Sequence, residues 1–561
     1  MHKCCAISVD ILNDYQGVFR KLNTLLTRAH PKIYKYFAFL LFAAFICIGF
    51  LVYRDYGIGM DEPMQRRHAV IAYRWLNRTF FDRGALVHYG SEEWESEGSK
   101  YYGVAVQLPL VFAEDVYQVI THEQMPVRTI FHMRHLYCYF IFVFSLFCFY
   151  RMVKDMFGSE LLAIAGVLMI FSFGRFFAES FLNIKDLMFS SLCTITLFYA
   201  ERILLSSYQT KWGVLFAVAT AFTVSSRMAA AIIPAFLILF ILVKNVIRHE
   251  KFPVKIILLI CMSYPVWLLI TPASWTNPLQ FSLGYVTTFS DYNAWDGVVL
   301  FEGKYLWKDQ VPWDYWFRWI GMTVPLVYLL FACLGIFIFL VTSLSRIRSL
   351  RNIEFSVKNQ MLLMMFLIVL GTFLYKHLKH PTVYNGWRHA YYIYPMLVMF
   401  AVYALSKLDE LPKRFPVYCS GGLLTASVLY NLILLVINHP AQYAAFNPIG
   451  QHLTDQYEGD YWGLSVYQCM DWLNDYDREW KTVNGYYSRT RGFILDNYFM
   501  LPEEQQQLLS VPSVDTDYLI VLKSGNGIYE DEAAPSIDGY EEIYHVASYG
   551  GRLSSVYKKV Q

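Results

Sequence analysis

Charged residues are scarce in this chain of 561 residues: 16% are Asp, Glu, Lys or Arg, whereas 56% are hydrophobic and 18% are aromatic. A soluble globular protein usually carries about 25% charged residues and a smaller apolar share. The net charge of +2 is too small to indicate a nucleic-acid partner. The composition therefore predicts a polytopic membrane protein.

Two signatures of other protein classes are missing as well. The ten cysteines lie mostly inside apolar runs and form neither a disulfide framework nor a CxxC metal site. No Gly-rich phosphate loop stands out between the apolar runs. The sequence therefore offers no nucleotide site.

Long apolar runs are what the chain has in abundance. The first, residues 36–53, lacks a small-residue cleavage pattern after it, which indicates an anchor and not a removed signal peptide. About 17 to 25 residues form one transmembrane helix. Ten further runs approach this length: 134–150, 160–174, 186–200, 212–226, 229–243, 255–271, 320–342, 360–375, 391–405 and 417–437. The pattern predicts about eleven transmembrane helices.

Lys and Arg cluster in alternate short loops, which the positive-inside rule places in the cytoplasm.

Polar composition and strand-like runs such as 518–522 predict a small α/β domain after the last span. Its expected role is either acceptor recognition or capping of the outer loops. The predicted organisation is a cytoplasmic N-terminal segment (1–35), a transmembrane domain (36–437) with outer loops 54–130 and 272–318, and an extracytoplasmic C-terminal α/β domain (438–561).

Two carboxylates, Asp61 and Glu62, stand in the first outer loop, just after the first span. Pro63 follows them at a position typical of a first helical turn, where the helix dipole favours negative charge. A helix cap explains one carboxylate well and two less well, and carboxylates held at a membrane surface are commonly functional. The pair is a candidate catalytic site, with helix capping as the alternative.

The next outer turn carries four ionisable side chains directly before an apolar run: Arg175, Glu179, Lys185 and Asp186. So many charges between two spans indicate a functional site. The alternative is structural: Asn183 or Asp186 caps the following helix, while Lys185 and Arg175 extend to lipid headgroups.

A third outer element places Arg388 and His389 at the start of a late span. The planar guanidinium of an arginine binds phosphate through two parallel hydrogen bonds. His377 and His380 lie in the same basic, aromatic stretch without an evident carboxylate or thiolate partner. This favours interface anchoring or phosphate contact over a zinc site.

All three elements are predicted on one side of the membrane. A transporter usually places polar groups near the bilayer midplane, and Arg227 is the obvious candidate for such a charge. The one-sided arrangement favours chemistry on a lipid-borne phosphate. A transporter or flippase of lipid-linked sugars and a non-catalytic membrane scaffold remain the alternatives.

The order of these motifs resembles the GT-C superfamily of membrane glycosyltransferases, and within it the protein O-mannosyltransferase and lipid A aminoarabinose transferase branch (glycosyltransferase family 39). The resemblance is carried by Asp61-Glu62-Pro63, Asn183-Ile184-Lys185-Asp186 and the sequence Tyr-Asn-Gly-Trp-Arg-His at 384–389, with further matches at 275–278, 312–315 and 460–473. Ile184 departs from the Asn-Lys-Asp pattern that is frequent in the family.

The resemblance implies inverting transfer of a sugar from a polyprenyl-phosphate donor to a glycan, lipid or protein acceptor, with a bacterial inner membrane as the expected location and an active site that faces outward. Asp61 would be the catalytic base, and Glu62 would hold the acceptor or orient Asp61. The donor phosphate would be surrounded by Arg388, His389, Lys185, Arg175 and Asp186. Participation of a divalent cation at Asp186 and Glu179 stays open, and no other cofactor is implied.

Overall fold

The computed structural model describes residues 31–80, 98–290, 295–347, 355–412, 414–514, 516–523 and 535–560. Most of the predicted cytoplasmic N-terminal segment, up to residue 30, lies outside these ranges. Up to residue 437 the described chain is almost entirely helical.

The helices of this part are α1 (Pro31–Val52), α2 (Glu62–Phe80), α3 (Leu108–Thr121), α4 (Val127–Phe157), α5 (Glu160–Phe171), α6 (Gly174–Leu182), α7 (Asp186–Leu205), α8 (Thr210–Ser226), α9 (Ile232–Arg248), α10 (Val254–Cys261), α11 (Ser263–Leu269), α12 (Pro278–Ser290), α13 (Tyr315–Thr323), α14 (Leu326–Ile347), α15 (Val357–Lys379), α16 (Tyr394–Asp409) and α17 (Arg414–Ile437). Short 3₁₀ helices span Gly98–Tyr101, Met228–Ala231, Pro272–Ser274 and Arg388–Ile393. A hairpin of β1 (Val298–Phe301) and β2 (Lys304–Trp307) lies in the long loop before α13.

Eight helices in the described ranges are long and apolar enough to cross a membrane, and a ninth span results if α5 and α6 count together. The multi-pass architecture is confirmed, but full-length spans are fewer than the eleven predicted. Each of the eleven predicted runs overlaps a helix, but three of them do not form a full-length span. The run 160–174 contains a 69° bend between α5 and α6. The run 212–226 lies in α8, which has 17 residues, and the run 255–271 lies in the short helices α10 and α11. Apolar length in the sequence does not reveal where a helix breaks.

Two spans form the centre of the bundle. In the apolar stretch of the span Asp186–Leu205, 83% is buried inside the protein, and in that of Arg388–Asp409 the buried share is 78%. The corresponding share in Ile33–Val52 is 17%. Side chains such as Phe39 and Leu51 on this peripheral helix are exposed, as expected where a helix faces lipid. Both central spans begin with a charged residue of the predicted site, so the fold brings Asp186 and Arg388 to the same end of the bundle.

The C-terminal region forms the small α/β unit that the sequence predicts. Its strands are β3 (Lys481–Gly485), β4 (Leu509–Ser510), β5 (Tyr518–Leu522), β6 (Tyr540–Ser548) and β7 (Gly551–Lys559), in the sheet order β4-β3-β5-β7-β6. Its helices are α18 (Leu464–Tyr476), α19 (Ser488–Tyr498) and α20 (Glu503–Gln507), after 3₁₀ turns at Gln442–Ala444 and Gly450–Gln456. The β3 strand pairs in parallel with β4 and β5, and β7 pairs antiparallel with β5 and β6.

Close packing of α14 against α16 depends on a glycine. A Cβ atom at Gly335 would overlap the carbonyl oxygen of Phe400, whereas a Cβ at Gly371 in α15 has no atom within 4 Å. Small residues allow such close approach of membrane helices.

We expect Gly335→Ala to destabilise the protein by about 1–3 kcal/mol through overpacking, measured as a lower Tm in detergent. Gly371→Ala is the matched control, and equal Tm values for the two variants would contradict this packing.

Candidate active site

The three outer elements predicted from the sequence meet in one cluster of charges. Nη1 of Arg388 donates to Oδ2 of Asp61 at 2.8 Å, and Nε of Arg388 lies 3.6 Å from Oδ2 of Asp186. Arg227 forms an ion pair with Oδ1 of Asp186. We call this alternating row of four side chains, Asp61, Arg388, Asp186 and Arg227, the ionic chain.

The ionic chain is buried at its centre and accessible at its ends. The side chains of Arg388 and Asp186 are 2% and 1% exposed, whereas those of Asp61 and Arg227 are 17% and 24% exposed. A buried charge is tolerated when an opposite charge pairs with it. The arrangement therefore leaves a carboxylate at one end and a guanidinium at the other for contact with a ligand.

The two carboxylates of the first outer loop face different partners. Glu62 turns inward: its Oε2 accepts a hydrogen bond from the Gly59 amide at 2.8 Å, and its Oε1 lies 3.3 Å from Nε2 of His135. Asp61 supports the start of α2 through its backbone carbonyl, which accepts from the Gln65 amide at 3.0 Å. Its side chain is thus free to join the ionic chain, and Glu62 holds the turn that presents it.

Helix capping at α7 falls to Asn183. Its Oδ1 accepts a hydrogen bond from the Asp186 amide at 2.7 Å, as the structural alternative predicts for this residue. The Asp186 carboxylate is therefore left for the two guanidinium groups. Capping and an ionic role coexist in this turn.

Glu179 is fully buried and saturated by hydrogen bonds. Its oxygens accept from Nδ2 of Asn183 and the hydroxyl of Tyr391, both at 2.8 Å, and from the hydroxyl of Tyr461 at 3.2 Å. No group of three or more His, Cys, Asp or Glu side chains is placed to share a metal ion in the part of the chain that the structure describes. Because Asp186 already faces two guanidinium groups, the donor set does not fit a divalent cation.

Arg175 lies away from the ionic chain's open ends. Its Nε donates to the carbonyl of Ala445 at 2.9 Å, and its guanidinium stacks over the rings of Trp319 and Phe446. It does not line the cavity described next. A sequence shows that Arg175 is near the turn but not which way its side chain points.

A cavity of about 820 Å³ adjoins the ionic chain. Its charged lining is cationic, namely Lys185, Arg227 and Lys379, and two histidines, His380 and His389, lie beside them. Its apolar lining includes Phe189, Ile232, Val286, Phe289 and Ile368. None of the described lining residues is a carboxylate. The cavity therefore suits an anionic group attached to a hydrocarbon chain.

The surroundings of Lys185 lower the pKa of its ammonium group. Burial, and after it the neighbouring Arg227, lower its pKa from 10.5 to about 8 against the opposing effect of Asp61 and Asp186. The ammonium lies 4.9 Å from the centre of the Tyr102 ring. An anion in the cavity would stabilise the protonated form of Lys185.

The turn before Arg388 depends on a residue that the sequence pattern does not reveal. Asn385 and Gly386 both have positive φ angles, of 54° and 73°. Oε2 of the fully buried Glu458 accepts from the Gly386 amide at 2.9 Å and from the Tyr315 hydroxyl at 3.2 Å. Glu458 stands in the C-terminal region without a motif around it, so its contribution was missed.

The C-terminal region also holds the loop that carries Asp61. The carbonyl of Trp462 accepts from the Met60 amide at 3.1 Å, and Oδ1 of Asn497 accepts from the Ile58 amide at 2.7 Å. The Trp462 ring lies 5.0 Å from the guanidinium carbon of Arg388. Of the two roles expected for this region, these contacts favour capping of the outer loops.

Comparison with known proteins places the chain in a functional class. Residues 86–273 match the model of the Alg9-like mannosyltransferase family, a segment that contains Lys185, Asp186 and Arg227. No curated protein sequence matches the chain. With its membrane helices, the family match identifies a membrane glycosyltransferase. The resemblance to the GT-C superfamily is thereby confirmed.

Several solved structures are distantly similar. ArnT from Cupriavidus metallidurans bound to undecaprenyl phosphate aligns with a TM-score of 0.43 at 11% identity, over 92% of this chain and 97% of that chain. Its apo state aligns with 0.43 at 12% identity, over 92% and 98%. The Archaeoglobus fulgidus oligosaccharyltransferase in complex with Zn and sulfate aligns with 0.42 at 13% identity, over 82% and 56%. At these scores the superposition is loose, and residue roles rest on the geometry of this chain.

Burial raises the pKa of Glu458 to about 8 from its ordinary value of 4.5. The folded state therefore holds a proton that the unfolded state releases, and the free energy of unfolding falls as pH rises from 4.5 to about 8. We expect Glu458→Gln, which does not titrate, to lose less Tm across this window than the wild type. Glu503→Gln, at an exposed position of α20, is the control. The same pH slope in all three proteins would refute a raised pKa.

Proposed function

We propose that this membrane glycosyltransferase moves a sugar from a polyprenyl-phosphate donor to an acceptor hydroxyl on the outer face of the membrane, with inversion at the anomeric carbon. The observation that carries the proposal is the ionic chain beside a cationic cavity with an apolar wall. A carboxylate and several cations in adjacent positions match the two charges that such a transfer creates. The acceptor is a glycan, a lipid or a protein.

The donor fits the cavity by its chemistry. Lys185 and Arg227 supply positive charge for the phosphate, His389 offers a ring nitrogen, and the apolar lining accommodates the first isoprene units. The volume of about 820 Å³ is within the usual range for ligand sites of roughly 300–1,000 Å³. Arg175 is not part of this proposal because its guanidinium packs on Trp319 and Phe446.

The reaction needs one base and one stabilised leaving group. The acceptor oxygen attacks the anomeric carbon, Asp61 takes the hydroxyl proton, and the bond from that carbon to the phosphate oxygen breaks. The bonding electrons leave with the polyprenyl phosphate, which gains one negative charge. Arg227 and Lys185 line the cavity and are placed to stabilise that charge, and Arg388, which does not line the cavity, adds positive charge from beside Asp186. A single displacement inverts the anomeric configuration.

Arg388 orients the base before substrate arrives. Its guanidinium is fixed between Asp61 and Asp186 and lies over the rings of Tyr384 and Trp462, 5.1 and 5.0 Å from the ring centres. Fixed charges of this kind stabilise a transition state without rearranging during the reaction. The buried Glu62 supports the same geometry through the turn at Gly59.

The contacts of Arg227 count against the transporter alternative. The α8 helix ends at Ser226, and Arg227 has an extended backbone and pairs with Asp186 at the start of α7. Arg227 is therefore an end of the ionic chain and not an isolated midplane charge. The distribution of Lys and Arg supports an outward-facing site, and we propose a bacterial inner membrane as its location.

Asp61→Asn removes the proposed base while preserving the shape of the side chain. Loss of a general base costs about 10²–10⁴-fold in rate. We expect mass spectrometry of cells with this variant to show loss of one sugar from a surface glycan, lipid or protein and accumulation of its polyprenyl-phosphate donor. Asp55→Asn is the control, because Asp55 lies in the same loop but pairs with His439. Unchanged pools of the glycosylated acceptor and of the lipid-linked donor, at a normal protein level, would contradict the assignment of Asp61 as the base.

Binding of the donor phosphate should depend on the protonation of Lys185. Its pKa of about 8 means that the ammonium charge is lost as pH rises above this value. We expect the affinity for undecaprenyl phosphate to fall about tenfold between pH 7.5 and 9.5, which is about 1.4 kcal/mol and typical of one charge-assisted contact. Lys185→Arg should keep its affinity over that range. Parallel pH profiles of the two proteins in a detergent binding assay would show that Lys185 does not contact the phosphate.

A further inference from the structure

A line of hydrogen bonds runs from the protein interior to the wall of the cavity. Arg134, which is 1% exposed, donates from Nη2 to Oε1 of Gln107. Nε2 of Gln107 then donates to Oε1 of Gln65 at 3.1 Å. Gln107 and Gln65 are themselves 2% and 5% exposed, and both line the cavity. We call these three side chains the amide relay.

The amide relay has only one possible direction. A guanidinium donates hydrogen bonds and cannot accept them. Arg134 therefore forces Gln107 to turn its oxygen inward and its nitrogen toward Gln65. Gln65 must receive that bond with its oxygen. Its Nε2 donors are not used in the relay and are available to a ligand in the cavity.

The position of Gln65 is rigidly set. Arg66, its neighbour on α2, binds the Glu114 carboxylate of α3 with Nη2–Oε2 at 2.6 Å, and both side chains are nearly buried. Tyr73 of α2 donates to Asp115 of α3 at 2.7 Å. These contacts clamp α2 to α3, so the separation between the two glutamines is fixed. Gln65 also follows Asp61 by one helical turn, with its amide bonded to the Asp61 carbonyl.

We propose that the Gln65 amide is a subsite for the donor sugar: its Nε2 donates to a hydroxyl or ring oxygen of the sugar, and Arg134 and Gln107 are positioning residues that fix its polarity. This inference rests on the proposed transferase function. The subsite lies one turn from the proposed base, where the reacting sugar carbon must be. The phosphate has the cations Lys185 and Arg227 for partners. A neutral amide donor suits the uncharged part of the donor.

Gln107→Glu tests the direction of the relay. A carboxylate at position 107 accepts from Arg134 and also from Gln65, so the Gln65 amide must rotate and turn its oxygen to the cavity. A site built to hydrogen-bond a sugar oxygen then presents an acceptor to it and rejects it. We measure affinities for undecaprenyl phosphate and for its mannosyl, glucosyl and N-acetylglucosaminyl derivatives.

The expected result is a change in one ratio. Wild-type protein should bind at least one glycosylated lipid more tightly than undecaprenyl phosphate, and Gln107→Glu should reduce that preference, measured as the ratio of the two affinities, about tenfold. Gln65→Met, which lacks the donor without adding charge, should reduce it in the same way. Gln118→Glu makes the same substitution within α3, at a residue that does not line the cavity, and should leave the ratio unchanged.

Two outcomes would overturn the sugar subsite: no glycosylated lipid preferred by the wild type, or a preference that survives both Gln107→Glu and Gln65→Met. Failure of the wild type to bind undecaprenyl phosphate at all would instead count against the proposed function. Because the ratio compares two ligands on the same folded sample, a general loss of stability does not change it.

Discussion

The pairing of buried charges in the ionic chain is the constraint on which the site depends. Arg388 and Asp186 are almost fully buried at the starts of the two central spans. A charge in such a place is costly unless an opposite charge lies beside it. Asp61 and Arg227 complete the alternation, and they come from the first outer loop and from the end of α8. Four distant segments are thus held together by the need to neutralise one another.

Much of the remaining architecture serves that arrangement. The C-terminal region receives the loop before Asp61 through Trp462 and Asn497, and it secures the turn before Arg388 through Glu458. In addition, the ion pair of Arg66 and Glu114 holds α2 against α3. A carboxylate and a guanidinium can act on substrates only if neither moves, and these supports restrict both.

Sequence reasoning located the candidate site better than it described its contacts. Charges at the ends of apolar runs are visible as a pattern, so Asp61, Asp186 and Arg388 could be predicted as neighbours on one membrane face. The direction of a side chain is not visible, so Arg175 was grouped with the phosphate ligands although it packs on aromatic rings. Arg227 was considered only as the candidate midplane charge of the transporter alternative, because the end of α8 was not recognised as part of the site. Glu458 and the amide relay have no local signature at all.

The sequence by itself determined that this is a multi-pass membrane protein with a polar C-terminal α/β unit and with charges concentrated at the ends of its spans. Hydrophobic runs and strand patterns are local properties, and they are encoded in consecutive residues. Only the tertiary structure decided that Arg388 lies between two carboxylates, that the cavity is cationic and that Gln65 presents a donor to it. These features depend on the relative positions of side chains separated by tens to hundreds of residues, and packing sets those positions.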